Sequence, residues 1–167
     1  AGFGQSSQSL KPLQFAGNDV CLLGLTLAER ASASGLELGE FRYLVSKVPE
    51  GLAIDGKQVA LPTHAEILKS LDRLREIAAP NDFVCVSISC HGFGESDGAH
   101  LVAHDTTPKL ENAVTDRELF VERLWKLKAA SLVLLDACHS GSSLTGDSLR
   151  GLNGFGLGPE ILVSCKP

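Results

Sequence analysis

Two residue types that can break a peptide bond follow two apolar segments of the chain. His91 follows the segment 83–90, and Cys138 follows the segment 132–137. A thiol attacks an amide only as the thiolate, so it needs a base that takes its proton and later protonates the leaving amine. Histidine titrates near neutral pH and suits that role. The pair therefore indicates nucleophilic catalysis, with Cys138 as the nucleophile and His91 as its acid/base partner.

The same chemistry needs hydrogen-bond donors for the oxyanion that forms at the attacked carbonyl group. Backbone N–H groups at tight, glycine-containing turns supply such donors without reorganisation. Gly92 directly follows His91, and the N–H group of Cys138 lies at the second turn. We predict that Gly92 and Cys138 form the oxyanion hole, and that the reaction requires no cofactor.

The segments that must bring these residues together have the pattern of strands in a parallel sheet. Residues 83–90 and 132–137 are short and almost entirely apolar, which is typical of strands buried on both faces. In such sheets, sites lie beyond the carboxyl ends of the strands. We therefore expect both reactive residues at one end of one sheet. Residues 41–45 and 161–165 predict further strands.

Three helices are predicted between the strands, which makes the fold class α/β. Asn18 and Asp19 can cap a helix that runs to Gly35. Two Thr-x-x-Glu capping boxes, at 63–66 and 115–118, predict the starts of the second and third helices. The side chains expected to face inward in the first and third helices are Val20, Leu23, Leu27, Ala31, Leu119, Phe120, Leu124 and Leu127.

Length and composition predict a single domain, residues 1–167. The chain is 44% hydrophobic and 21% charged, as in an ordinary globular protein. A formal net charge of -5 disfavours nucleic acid as a partner, because binders of the phosphate backbone concentrate Lys and Arg on one face. The apolar runs are far shorter than the ~20 residues that cross a membrane. Five cysteines without a Cys-x-x-Cys pair favour a reducing, cytoplasmic setting.

The residues around His91 and Cys138 resemble the two signatures of the metacaspase branch of the caspase superfamily. The segments read Ser-Ile-Ser-Cys-His-Gly at 87–92 and Leu-Leu-Asp-Ala-Cys-His-Ser-Gly at 134–141, with further similar segments at 13–19 and 101–105. The 47 positions from His91 to Cys138 agree with the caspase precedent of about 50. The resemblance implies a caspase-like three-layer α-β-α sandwich with a mostly parallel central sheet.

The resemblance also implies a cysteine endopeptidase that cleaves a protein or peptide substrate after Arg or Lys. In this branch, acidic residues line the pocket for the side chain before the scissile bond, and Asp19 and Asp136 match those positions. Ser89 matches a further pocket position, whereas Ala16 stands where some members carry a cysteine. Animal caspases instead select Asp through arginines, and no arginine stands beside either signature.

Comparison with the family pattern predicts that the chain is incomplete at both ends. Residues 1–4 would be the end of the family's first strand. Family members continue beyond the last strand into a smaller segment, which would be a partner that completes the sheet and the substrate cleft. Calcium activates part of the family, but its binding acids cannot be matched here, so no role is assigned to Asp97, Asp105 or Asp147.

Other interpretations of the same residues remain open. Zinc has suitable ligand types in Cys90, His91, Cys138 and His139, but adjacent strand residues point to opposite faces, which disfavours convergence on one ion. A caspase-fold scaffold or binding module without turnover would keep the fold and lose the reaction. A protease of the same clan with a different residue preference would be distinguished by the residue that precedes the cut.

Overall fold

The protein is described here by a computed structural model, which covers Leu13 and residues 15–52, 54–55, 59–95, 98–137 and 158–163. Within these ranges the protein is a mixed α/β structure with two α-helices and eight short strands. The strands form two parallel sheets and one antiparallel sheet. The predicted α/β class with mostly parallel sheets is therefore confirmed.

Each of the two α-helices is followed in the chain by a group of strands. The elements are α1 (Ala16–Ala33), β1 (Tyr43–Leu44), β2 (Val59–Ala60), α2 (His64–Ile77), β3 (Phe83–Ser89), β4 (Gly92–Glu95), β5 (Gly98–Leu101), β6 (Val114–Thr115), β7 (Ala130–Asp136) and β8 (Glu160–Val163). A π turn (Arg117–Val121) and a 3₁₀ turn (Leu124–Lys126) lie between β6 and β7.

The parallel sheet predicted from the two apolar segments has the order β3-β7-β8. Seven residue pairs join β3 to β7, from Phe83 beside Ala130 to Ser89 beside Asp136. Burial on both faces was expected for these strands, and this expectation is wrong for the described residues. In β7, buried residues alternate with partly or fully exposed ones, and Phe83 in β3 is 67% exposed. The described residues therefore cover one face of β7 more fully than the other.

The N-cap of helix α1 lies three residues before Asn18, the first residue of the predicted cap. Its N-cap is Phe15, whose side chain makes no capping hydrogen bond. The N–H group of Asp19 already donates to the Phe15 carbonyl oxygen at 2.8 Å, so Asn18 and Asp19 lie in the first turn. An acidic side chain in that turn is favourable beside the positive end of the helix dipole. The predicted stop is confirmed, because Gly35 follows the helix with a φ of +72°.

The buried face of α1 differs from the predicted one. Cys21 and Gly24 are its buried residues, whereas Leu27 is exposed and the other three predicted residues are only partly buried. The reason is the close approach of Tyr43, since a Cβ atom at Gly24 would lie 2.6 Å from the tyrosine Cε1 atom. The helix therefore packs through its smallest residue rather than through its leucines.

Helix α2 forms as its capping box predicts. The hydroxyl group of Thr63 accepts a hydrogen bond from the Glu66 N–H group at 3.3 Å. The helix ends at Ile77, and its buried residues are Ser70 and Leu71. Leu71 belongs to the main apolar core, which also contains residues of β7 and of the π turn.

The third predicted helix is not an α-helix, although its four inward residues are all buried. In an α-helix the Glu122 N–H group would donate to the Glu118 carbonyl oxygen. Here the guanidinium group of Arg123 donates to that carbonyl at 3.0 Å, and the Glu122 N–H group donates to the Arg117 carbonyl instead. The prediction of helix type is wrong because a side chain takes the place of a backbone donor.

A small antiparallel sheet, β4-β5-β6, was not predicted. Its first two strands pair from Gly92 beside Leu101 to Glu95 beside Gly98. Glycine is depleted in strands, and three glycines in this hairpin hide the alternation of apolar and polar residues that signals a strand. The hairpin matters for the site because it begins immediately after His91.

Candidate active site

His91 lies directly beyond the carboxyl end of β3, where the sequence predicts it. The residue before it remains tied to the neighbouring strand, because the Cys90 N–H group donates to the Asp136 carbonyl oxygen at 3.1 Å. On the other side, the His91 carbonyl oxygen accepts a hydrogen bond from the Val102 N–H group at 2.9 Å. His91 is half-buried. Its backbone is therefore held between β7 and the end of β5.

The predicted nucleophile, Cys138, and its N–H group lie outside the described residues, as does His139. The last described residue before them is Ala137, which is 2% exposed and belongs to the main core. The chain thus reaches the nucleophile position from a residue that is buried in the main core.

Three residues predicted to bind substrate line one cavity of about 280 Å³. Asp19 reaches it from the first turn of α1, Ser89 from the end of β3, and Asp136 from the end of β7. The Ser89 hydroxyl group donates to the Asp136 carboxylate at 3.4 Å. The structure therefore brings together side chains from positions that are more than a hundred residues apart in sequence.

The other described residues that line this cavity are mostly apolar. They are Val20, Leu23, Ser87, Ile88, Leu134, Leu135, Leu162 and Val163. Sequence reasoning did not assign Leu162 and Val163 to the site. They lie on β8, the strand next to β7, and no sequence signal shows that the two strands are neighbours. The volume of the cavity is near the lower limit of ~300 Å³ for small-molecule pockets, so a single long side chain fits it better than a larger ligand.

Gly92 is the predicted oxyanion donor that the structure describes. It is buried at the start of β4. A trans peptide is planar, so its C=O and N–H groups point in opposite directions. The C=O group of the His91–Gly92 peptide points at Val102 beside β5, and the Gly92 N–H group consequently points away from β5.

Two of the described cysteines, Cys21 and Cys85, are poor nucleophiles. Burial raises the pKa of the Cys21 and Cys85 thiols, which disfavours the thiolate. Cys21 is completely buried, and Cys90 is partly buried against the main core. Their predicted role as core residues is confirmed for Cys21, whereas Cys85 is only partly buried and Cys165 lies outside the described residues.

Comparison of the chain with known proteins finds no match. This holds for family models, for curated proteins and for solved structures. The functional assignment therefore depends on the residues and their geometry.

Two further features are absent from the described part of the chain. Neither α1 nor α2 is long and apolar enough to cross a membrane. No group of three or more His, Cys, Asp or Glu side chains has an arrangement suited to a metal ion within the described ranges. Cys138 and His139, two ligands of the zinc interpretation, lie outside those ranges.

Proposed function

We propose that this chain is the nucleophile-bearing domain of a caspase-like cysteine endopeptidase that cleaves after Arg or Lys. The observation that carries the proposal is the cavity at the carboxyl ends of β3 and β7. Asp19, Ser89 and Asp136 all line this cavity. Ser89 lies two residues before His91, and Asp136 lies two residues before Cys138.

The register of β3 and β7 supports the pairing of nucleophile and base. Partners in this ladder are 47 positions apart, as Ser89 and Asp136 are. The same 47 positions separate His91 from Cys138. Two residues that follow paired parallel strands, and that have the same sequence separation as the paired residues, continue the register of the ladder. The imidazole and the thiol are therefore expected side by side, just beyond the strand ends.

The reaction follows from these positions. His91 takes the proton of the Cys138 thiol, and the thiolate attacks the carbonyl carbon of the scissile peptide. The N–H groups of Gly92 and Cys138 donate to the oxyanion. The C–N bond breaks as His91 returns the proton to the leaving amine, which leaves a thioester on Cys138. His91 then deprotonates a water molecule that attacks the thioester, and the acid product leaves with regeneration of the thiol.

The cavity favours a basic side chain before the scissile bond. Lys and Arg combine an aliphatic stem with a cationic head, and the stem packs on apolar surface while the head seeks charge or water. The apolar wall would hold the stem, and the carboxylates of Asp19 and Asp136 would pair with the head. A substrate Asp would place a third carboxylate beside these two and is disfavoured by like-charge repulsion.

A caspase-like sandwich is part of the proposal. The parallel order β3-β7-β8 and the mixed α/β composition support it. In that architecture a small-subunit segment would continue beyond the last strand and would be the partner that completes the cleft.

The test is cleavage of matched fluorogenic peptides that end in Arg, Lys or Asp. The full protein is compared with Cys138→Ala, in calcium and in chelator. Cys85→Ala is a control that removes a thiol near the amino end of β3, away from the carboxyl ends where the site lies. We expect cleavage after Arg or Lys that Cys138→Ala abolishes and Cys85→Ala preserves. Asp19→Asn and Asp136→Asn should each raise the KM for the basic peptides.

Other outcomes point to the other interpretations. Cysteine-dependent cleavage after Asp would reject the basic pocket and favour a related protease of different preference. A Cys138→Ala variant that equals the wild type in every assay would favour a scaffold without turnover.

A further inference from the structure

A four-residue segment, residues 102–105, connects the peptide that follows His91 to the start of α2. We call it the strap. At its first residue, the Val102 N–H group donates to the His91 carbonyl oxygen at 2.9 Å. At its last residue, the Asp105 carboxylate accepts a hydrogen bond from the His64 N–H group at 2.8 Å. The strap is therefore fixed at both ends.

The middle of the strap is fixed as well. The His104 N–H group donates to the Pro62 carbonyl oxygen at 2.8 Å, just before α2. The Nδ1 atom of His104 lies 3.2 Å from the Ser46 hydroxyl oxygen. The Ala103 side chain is buried in the main core. Residues that surround the strap thus leave it little freedom to shift relative to α2.

The anchor for the strap is a rigid one. The first N–H groups of a helix have no partner within the helix and are stabilised by an external acceptor, especially a negative one. His64 is the first residue of α2, whose Leu71 packs in the main core. The bond between Asp105 and His64 consequently ties an exposed carboxylate to an element that the core holds in place.

The other end of the strap controls the direction of the Gly92 N–H group. The Val102 bond fixes the C=O group of the His91–Gly92 peptide, and peptide planarity then fixes the N–H group on the opposite side. The ladder agrees, because a Val102-to-His91 bond makes Gly92 and Leu101 a non-hydrogen-bonded pair in which neither N–H group is used between the two strands.

We propose that Asp105 is a positioning residue for the oxyanion hole. By docking the strap on α2, it holds Val102 where its N–H group orients the His91–Gly92 peptide toward the reacting carbonyl. Asp105 itself touches neither the substrate nor the reacting atoms. This inference rests on the proposed function, since it assigns the Gly92 N–H group to an oxyanion.

The first test compares Asp105→Ala with Asp105→Asn in the full protein. Alanine removes the acceptor for the His64 N–H group, whereas asparagine keeps an acceptor oxygen without the charge. We expect kcat to fall about tenfold in Asp105→Ala, less than the ~10²-fold or more lost when an oxyanion donor is removed. Asp105→Asn should recover most of the wild-type kcat, and KM should change little in either variant.

The second measurement separates the oxyanion hole from the Cys-His pair. Alkylation of Cys138 by iodoacetamide depends on the thiolate and forms no oxyanion. Its rate should therefore be the same in Asp105→Ala and in the wild type. A parallel loss of kcat and of alkylation rate would overturn the proposal, because it would mean that Asp105 supports the thiolate or the fold generally.

A matched pair at the other end of the strap tests the same bond directly. Val102→Pro removes the N–H donor, and Val102→Ala keeps it. We expect kcat to fall in Val102→Pro by more than in Asp105→Ala, with near-normal kcat in Val102→Ala. Equal losses in the two Val102 variants would contradict the proposal, since they would trace the effect to the side chain.

An NMR readout distinguishes failure of this inference from failure of the proposed function. The Gly92 amide resonance should shift in Asp105→Ala and return toward its wild-type position in Asp105→Asn, whether or not the protein cleaves peptides. A protein without cleavage but with this shift would reject the protease and retain the orienting role of Asp105. An unchanged Gly92 resonance would reject that role. An Asp105→Asn variant as impaired as Asp105→Ala would also reject it, because it would indicate that the carboxylate charge, and not the hydrogen bond to His64, is needed.

Discussion

Two regions of this molecule begin with the same capping sequence and continue differently. In both, a threonine hydroxyl group accepts a hydrogen bond from the glutamate N–H group three residues later, at 3.3 Å for Thr63 and 3.2 Å for Thr115. The first box opens the 14-residue helix α2. The second opens a five-residue π turn and then a 3₁₀ turn. A shared start therefore does not determine the helix type.

The two glutamates differ in partners rather than in exposure. Their side chains are 22% and 25% exposed. The Glu66 carboxylate forms ion pairs with Arg42 and Lys69. The Glu118 carboxylate instead returns to the N–H and hydroxyl groups of Thr115 and also reaches the His64 ring. The second box is the more complete one, and yet it precedes the shorter element.

What separates the two regions is the sequence after the cap. In the second region, Arg123 captures the Glu118 carbonyl oxygen and also contacts Asp72 in α2. Leu119 and Phe120 are each 1% exposed. The comparison indicates that caps set where an element begins and that packing sets what it becomes.

The largest expected effect tests whether packing dominates the second region. Phe120→Ala should lower the free energy of unfolding by about 3–5 kcal/mol, because it leaves a cavity in the main core. Phe83→Ala makes the same chemical change at a side chain that is 67% exposed, and its loss should stay within ~0.5 kcal/mol. Urea unfolding measures both. If Phe120→Ala lowered the free energy of unfolding by less than Glu118→Ala does, capping would contribute more than packing to the stability of this region, contrary to our prediction.

The second effect tests the difference between the two glutamates. Glu118→Ala should cost about 2–3 kcal/mol, because it removes charge-assisted hydrogen bonds to Thr115 and leaves a partly buried N–H group without its acceptor. Glu66→Ala should cost less than about 1 kcal/mol, as is usual for surface ion pairs. The same unfolding experiment compares the two variants. Equal losses of unfolding free energy would show that the exposure of the two glutamates, and not their bonding partners, determines how much each capping box stabilises the protein.

The smallest effect is one of pH. Burial acts to raise the pKa of Glu118, but hydrogen bonds from Thr115 and His64, with the charge of His64, hold that pKa below its ordinary value of 4.5. A carboxyl group with a depressed folded-state pKa adds stability above its unfolded-state pKa and loses it as the pH falls through the folded-state pKa. The stability difference between wild type and Glu118→Gln should therefore narrow below pH 4.5. A constant difference across that range would contradict the assigned partners.

Sequence patterns predicted the elements whose local and long-range preferences agree. Helix α2 has a cap, a helical apolar repeat and a following proline, and β3 and β7 are dense in β-branched and apolar residues. The hairpin of β4 and β5 was not predicted, because its glycines interrupt the alternation of apolar and polar residues by which strands are identified. The buried face of α1 was mispredicted because the helix packs most closely at Gly24. Glycine has no side chain, so a search for apolar residues at helical spacing does not find it.

The candidate site was predictable to a similar extent. His91, Ser89 and Asp136 were expected at the ends of parallel strands, and the structure has them there. Asp19 came from the family resemblance alone, because no local pattern shows that the start of α1 faces these strands. The contribution of β8 and the strap could not be derived from spacing, since both depend on contacts between segments far apart in the chain.

The ladder between β3 and β7 also sets an order of events in synthesis. Its partners are 47 positions apart, so no pair can form until residues 130–136 have been made. Helix α2 and the hairpin of β4 and β5 rely on contacts close in sequence and need no such wait. A nascent chain therefore carries Asp19, Ser89 and His91 long before Asp136 exists. The cavity lined by Asp19, Ser89 and Asp136 can therefore form only after both β3 and β7 have been made.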